Sequence, residues 1–436
     1  MATLEELKTG DVVVAVEPVH ADYVYDDQKI KPRQIGLVLQ KQKDRSILIV
    51  KDGTRKYVKD GSVFRRTRKA TREQFFNDLN RGNVEFVRTN DEHSGCDPEV
   101  FAIRGDGSLL PAFQYLPHKD KAEEIICNKE DGKGHIKTFY DGFQAEFVTS
   151  PSRCHSWLVD YVWAGLKSVY DAARKCDPGA TLTHKSVMDV PREMMALAPK
   201  DGVDMGCAPS TNAYDTEAPM LGKMLPEDVP FRFAGVHFHC GDKCKKEVDI
   251  QRIKTMDAFV GVASVAALRG LEDDRRRKFY GLAGEYRRPA HGLEYRVLSS
   301  AALIHPAVTH LFFDMLRTSN IAGQHGLRGL YHATDDEVQD CINNYDVDAA
   351  VKLVKKNQCL YKSMLSSIYS YGGRGGDVVN NAMSLIIDGV ANILPTESIV
   401  KNWMLDGERK NRGYRGTDHW ATHSENDNCC MYTLKL

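Results

Sequence analysis

The chain of 436 residues carries 59 Lys and Arg against 60 Asp and Glu, a formal net charge of -1, so no global field argues for nucleic acid or a membrane surface. Its 42% hydrophobic and 27% charged content is that of an ordinary soluble protein, long enough for two or three domains. No basic-plus-apolar leader is evident, and the longest near-continuous apolar run, Ala258 to Leu268, is too short to span a bilayer and reads as a core helix. Eleven scattered cysteines without a CxxC pair speak against a disulfide framework and for a reducing, cytoplasmic setting.

Residues 1–70 alternate apolar and polar over short runs such as DVVVAVEPV, QIGLVLQ and RSILIVK, with turn chemistry between them. That spacing predicts a small β-barrel of the SH3-like kind, whose basic tail at Arg65, Arg66, Arg68 and Lys69 is a candidate contact for nucleic acid or an acidic protein. A solvated charge run at a domain edge is the plainer account of that tail. Thr71 is placed to cap a short helix, REQFFNDLN, so that residues 71–94 form a linker.

From Gly95 strands alternate with longer helical stretches. GCDPEVFAIRGDGSLLPA predicts a strand, a hairpin turn at Asp106-Gly107 and a second strand. Lys119 to Lys137 reads as a loop, YDGFQAEFVTSP as a strand, and Ser156 to Arg174 as a helix with a broad apolar face. The segment from Met205 is rich in turn formers and reads as a loop near a ligand. FRFAGVHFHCG returns to strand, IQRIKTMDAFVGVASVAALRG to helix, and the chain beyond about residue 300 is helical. Gly372 to Gly376 lacks the Lys-Ser/Thr of a phosphate loop and reads as a flexible turn; the Cys429-Cys430 doublet reads as incidental.

The segment around which these pieces organise is Asp273 to Ser299, with six arginines and four acids in 27 residues. It ends in an alternating strand whose Glu294 and Arg296 share one face while Leu293, Tyr295 and Val297 take the other. The same two-residue spacing recurs at Asp97/Glu99, Gln144/Glu146 and His237/His239. Four such pairs on one sheet face suit a divalent cation carrying a nucleotide triphosphate, because carboxylate oxygens hold magnesium and arginine forks onto phosphoryl oxygens. Competing readings are a zinc site at His237, His239, Cys240 and Cys244, and a merely structural Glu294–Arg296 pair. Arg275, Arg276 and Arg277 follow three acids, and at least two of them read as a solvated helix end.

The order DPE, AEF, GVHFHCG, YGLAGEYR and GLEYRVLS, over about Gly95 to Leu303, resembles the carboxylate-amine ligases of tailed phages, in the glutamine synthetase and glutamate-cysteine ligase superfamily. The resemblance implies an α+β fold with a twisted antiparallel sheet over residues 95–320, a helical region with a polar tail over 321–436, and a host-cytoplasmic, phage-encoded setting. It implies an ATP-dependent carbon–nitrogen ligase using Mg2+ or Mn2+. Such an enzyme forms an acyl phosphate from a small-molecule or peptide carboxylate and lets an amine displace the phosphate; by analogy it is also a candidate homo-oligomer. Carried over by position, Glu99, Glu146, His237 and Glu294 are the expected metal ligands, and Arg296 the phosphate-contacting residue of the E-x-R motif. Arg287 and Arg277 are further nucleotide contacts, with Lys119 a candidate for nucleotide or substrate; Asp97 and His239 both stand as candidates for the base that serves the amine. Where glutamine synthetases often place two glutamates on the first strand, Asp97 and Glu99 stand here, and Gln144 brings no charge to the second. A guanidino or amine phosphotransferase on the same fold, a metal-dependent hydrolase and a non-catalytic binding protein remain the alternatives.

Overall fold

The computed structural model describes residues 93–127, 134–152, 155–199, 210–214, 229–241, 244–324, 326–369 and 375–407, together with six strands between residues 2 and 66. Those strands are β1 Ala2–Thr3, β2 Val12–Ala15, β3 Ile35–Lys41, β4 Arg45–Val50, β5 Arg55–Lys59 and β6 Val63–Arg66. They form an antiparallel sheet in the order β1-β6-β2-β3-β4-β5, open at β1 and β5 among the described residues. The expected short strands are there, and among the described residues they do not close into a barrel. The linker helix after Thr71, the Met205 loop apart from residues 210–214, most of the glycine run at 372–376 and the cysteine doublet lie outside the described residues.

The second sheet is the scaffold of the molecule. Its strands are β7 Ser94–Ile103, β8 Leu109–Leu110, β9 Glu124–Ile126, β10 His135–Asp141, β11 Gln144–Thr149, β12 Thr181–Thr183, β14 Thr211–Asn212, β16 Val236–Cys240, β17 Glu285–Arg287 and β18 Leu293–Tyr295, and β13 Val187–Asp189 pairs separately with β15 Phe231–Phe233. The order is β14-β17-β18-β16-β7-β11-β10-β9, every pairing antiparallel, with β8 and β12 on the far end of β7. The Asp106-Gly107 hairpin forms as the sequence predicts, Gly107 taking a φ of 85° while the Arg104 amide donates to the Ser108 carbonyl at 2.8 Å. The stretch read as a loop from Lys119 is more ordered than that, since it holds a 3-10 turn at Lys119–Lys121 and strands β9 and β10. Its polarity misled because β9 is an edge strand exposed at every position.

One face of the sheet is closed by helices. Helix α1, His155–Cys176, buries Leu158, Val162, Leu166 and Val169 in the same core as Val100 and Phe147. After the short α2 at Arg192–Ala196, helix α3 (Lys246–Met256) runs through one π-turn at Asp257–Gly261 into α4 (Val262–Ala267). Ala258 to Leu268 is fully buried there, as the apolar run predicts. Helix α5, Pro306–Gln324, packs Phe313 on Phe238 at 5.5 Å between ring centroids. Phe238 lies between His237 and His239, so packing it into the core turns both histidines to the opposite face. The C-terminal helices α6 (Asp335–Asn343), α7 (Val347–Lys356), α8 (Gln358–Tyr369), α9 (Gly375–Asp388) and α10 (Ile399–Asn402) complete the apolar layer. The fold is thus a mixed α/β arrangement of antiparallel sheets and helices, and none of its described helices is long and apolar enough to cross a membrane.

Candidate active site

Strand register gathers the polar face. Arg287 stands opposite Glu294 and Glu294 opposite His239; on the next strand pair His237 stands opposite Asp97, and beyond it Glu99 opposite Glu146. Directly paired residues in antiparallel strands project to the same side, so groups drawn from five strands meet across one surface. Of these, Asp97, Glu146, His237 and Arg287 line a cleft that also takes in Lys119, Phe139 and Asp141.

Two kinds of environment sit side by side in it. On the β16–β18 side the Glu294 Oε1 accepts from Arg296 Nη1 at 2.6 Å and from Arg287 Nη2 at 2.6 Å and Nε at 3.0 Å. Burial works against the Glu294 charge, but His237 and Arg296 outweigh it and hold its carboxyl below the usual range. Asp97 Oδ1 lies 2.8 Å from His239 Nε2 and 3.5 Å from His237 Nδ1. Burial would raise the Asp97 carboxyl too, yet the two histidines carry it well below the ordinary value. His239 reaches outward through Nδ1 to the exposed His291 at 2.8 Å; burial opposes its protonation and Asp97 more than restores it, leaving the imidazole above its ordinary value. His237, 2% exposed, is pushed down to about 4 by burial and by the Arg296 charge, so it is neutral at pH 7. Both of its nitrogens are engaged: Nδ1 faces Asp97 and Glu294, and Nε2 is 2.5 Å from the Tyr280 hydroxyl.

On the β7–β11 side stand three carboxylates, Glu99, Asp141 and Glu146, with one oxygen from each within 4.8 Å of the others. Among the described residues none of the three forms an ion pair. Burial, then the neighbouring Asp141, pushes Glu99 up to about 8. Burial and the charges of Asp97, Asp141 and Glu99 raise Glu146 well above its usual value, and burial raises Asp141. Lys119 stands at the exposed rim, its ammonium 5.0 Å from the centre of the Phe139 ring.

These environments fit a divalent cation unequally. An all-oxygen set of crowded, mutually repelling carboxylates is the donor chemistry that Mg2+ and Mn2+ take, and a cation there would relieve the repulsion that raises their proton affinity. Asp97, His239 and Glu294 also have ligand atoms within 4.8 Å, but their charges are already neutralised by arginine and imidazole. Of the four ligands expected from the sequence, Glu99 and Glu146 therefore face the cation-compatible side and His237 and Glu294 the arginine side.

Arg287 and Asp97 line the cleft, and His239 and the fully buried Arg296 adjoin it through Asp97 and Glu294, whereas Arg277 lies apart. Arg277 is 1% exposed, with Nε at 2.9 Å from Glu272 and Nη1 on the Val297 carbonyl at 2.8 Å. Arg276 is likewise buried, bonding the Val297 and Leu298 carbonyls at 2.9 Å each. Those two are not a solvated helix end. They hold the chain beyond β18 from below, and only Arg275 stays out, paired with Asp189 and Asp273. The soft-metal alternative loses a ligand, because the Cys240 side chain turns into the apolar core.

Two site residues escaped the sequence reading. Asp141 sits in an Asp-Gly step that carries the usual turn signature; only the register, Phe139 opposite Glu146 and Asp141 opposite Gln144, puts it on the same face as Glu146. Tyr280 lies among more conspicuous arginines and bonds both His237 and Arg296.

The family model described as phage phiEco32-like COOH.NH2 ligase-type 2 matches residues 227–357. The search of curated proteins returns no match. Among solved structures, a bifunctional glutathione synthetase from Pasteurella multocida aligns at a TM-score of 0.36 and 11% identity, over 74% of this chain and 50% of that one. The resemblance to the phage carboxylate-amine ligases is thus shown through residues 227–357, the part of the chain that carries GVHFHCG, YGLAGEYR and GLEYRVLS.

Proposed function

We propose that the chain is an ATP-dependent carboxylate-amine ligase. The observation that carries this reading is the adjacency of a crowded carboxylate triad, Glu99/Asp141/Glu146, to a guanidinium pair, Arg287 and Arg296, aligned on Glu294. A carboxylate is a poor electrophile, and phosphorylating it supplies a leaving group. In that step a substrate carboxylate oxygen bonds to the γ-phosphorus, the bond from that phosphorus to the β,γ-bridging oxygen breaks, and ADP leaves. The amine nitrogen then attacks the acyl carbon, orthophosphate departs, and the amine gives up a proton. A bound Mg2+ or Mn2+ neutralises phosphoryl charge. The triad would hold that ion, Arg296 and Arg287 would meet the equatorial oxygens of the transferring group, and Lys119 at the rim would steer anions inward. For the amine proton, the Asp97–His239 pair is the candidate acceptor, joined to the surface through His291.

The division into an N-terminal sheet unit, a linker, a ligase domain over 95–320 and a helical region is part of this proposal, as is the glutamine synthetase-like character of the central sheet. The test is ATP-dependent phosphate release over a panel of carboxylates and amines, with and without Mg2+. The ligase reading requires ADP, orthophosphate and a new amide. A stable phosphorylated acceptor would replace it with a phosphotransferase, and product formation without nucleotide with a hydrolase.

A further inference from the structure

Tyr280 belongs to the reactive cluster although no catalytic pattern points to it. It is 5% exposed and follows the 3-10 turn Asp274–Lys278. The backbone reverses at once at Gly281, where φ is 70° and any Cβ would collide with the Arg276 guanidinium. Only glycine meets both conditions, so the turn that aims the Tyr280 ring is built into the sequence. The ring is then gripped on several sides. The Arg276 guanidinium carbon stands 5.0 Å and that of Arg296 5.3 Å from its centre, and Phe233 stacks on it at 6.2 Å and 30°. Its hydroxyl accepts from Arg296 Nη2 and lies 2.5 Å from His237 Nε2.

A phenol has one proton and two lone pairs. With Arg296 donating to the oxygen, the phenol proton is directed to His237 Nε2, which leaves the His237 proton on Nδ1 facing Asp97 and Glu294. The hydroxyl therefore couples the guanidinium nearest the acidic strand pair to the imidazole at its centre, and Glu294 holds the same guanidinium from the other side at 2.6 Å. Two restraints at an angle stop a long side chain from swinging; one does not.

We propose that Tyr280 is a positioning residue for phosphoryl transfer, its hydroxyl fixing Arg296 and the His237 tautomer in the arrangement the transferring group meets. This rests on the ligase reading above, and its test separates the two. Tyr280→Phe deletes only the hydroxyl and keeps the ring between the arginines, so the melting temperature should stay within a few degrees of wild type. MgATP affinity, by calorimetry, should change less than about threefold, while the turnover of phosphate release falls by about 10- to 100-fold. Nitrogen NMR of the His237 ring should show hydrogen-bonded, unprotonated Nε2 in the wild type and loss of that bond in the variant. That signal needs no substrate, so a protein inactive with every carboxylate-amine pair would remove the ligase reading while still deciding the arrangement of Tyr280. Wild-type turnover together with an unchanged His237 signal would overturn the inference. So would a loss confined to MgATP affinity at unchanged turnover.

Discussion

On the β16–β18 side of the cleft every carboxylate has a cationic partner in reach: Glu294 has two guanidiniums on one oxygen, and Asp97 has the His239 imidazole, whose protonation it favours, beside the neutral His237. On the β7–β11 side three carboxylates crowd one another with no ion pair among the described residues. The difference is one of finished and unfinished electrostatics. The first cluster is neutralised by the fold; in the second the fold supplies Glu99 with the Gly235 amide at 2.7 Å, and the mutual repulsion is left to be relieved by protons or, in the proposed function, by a metal. The family match covers most of the first cluster and none of the second, since residues 227–357 include His237, His239, Arg287, Glu294 and Arg296 but neither Asp97 nor any of the triad.

Removing divalent metal is the strongest way to break this contrast. Chelation should abolish phosphate release, by more than about 10³-fold, with recovery on adding Mg2+ or Mn2+; activity that survives chelation would leave the triad without a purpose. Next in size, Arg296→Ala should lower turnover by about 10²- to 10³-fold. Because it leaves buried Glu294 with Arg287 alone, it should also destabilise the fold by about 3 kcal/mol, read as a shift in the denaturant midpoint.

A pH series sharpens the contrast further. Glu99 sits at about 8 in the folded chain against an ordinary 4.5. The folded state therefore holds a proton that the unfolded chain releases at lower pH. The contribution of Glu99 is fully present below about 4.5 and is lost as pH rises through about 8. Metal-free protein should accordingly melt at lower temperature as pH rises across that window, and Mg2+ should flatten the dependence by taking the place of the proton. A melting temperature indifferent to Mg2+ at pH 8 would count against the triad. The smallest effect belongs to the rim, where Lys119→Ala should weaken MgATP binding only about two- to fivefold, and less at high salt.

Much of this was legible in the chain, for identifiable reasons. Alternation is a local property, so the Glu294/Arg296 face and the Asp97/Glu99 and His237/His239 pairs follow from strand geometry alone. Depth is not local. Arg276 and Arg277 look like solvent-facing charges beside three acids, and become core residues because the chain returns beneath the end of β18 and offers them carbonyls. Asp141 is concealed by its Asp-Gly step, which is turn chemistry whatever else it does; its membership of the site depends on the pairing of β10 with β11. The division of the cleft into a neutralised and an un-neutralised half depends on which side chains reach which, and no spacing rule carries that. In the proposed function it assigns Glu294 and His237, metal ligands by the resemblance, to the arginine side.

In the proposed function the cation and the phosphoryl contacts occupy different halves of one cleft. Mn2+ binding followed by electron paramagnetic resonance on wild type, Glu146→Gln and Glu294→Gln tests it most directly. Glu146→Gln should lose Mn2+, whereas Glu294→Gln should keep Mn2+ affinity within a few fold and lose turnover. Retention of Mn2+ by Glu146→Gln with its loss in Glu294→Gln would contradict it.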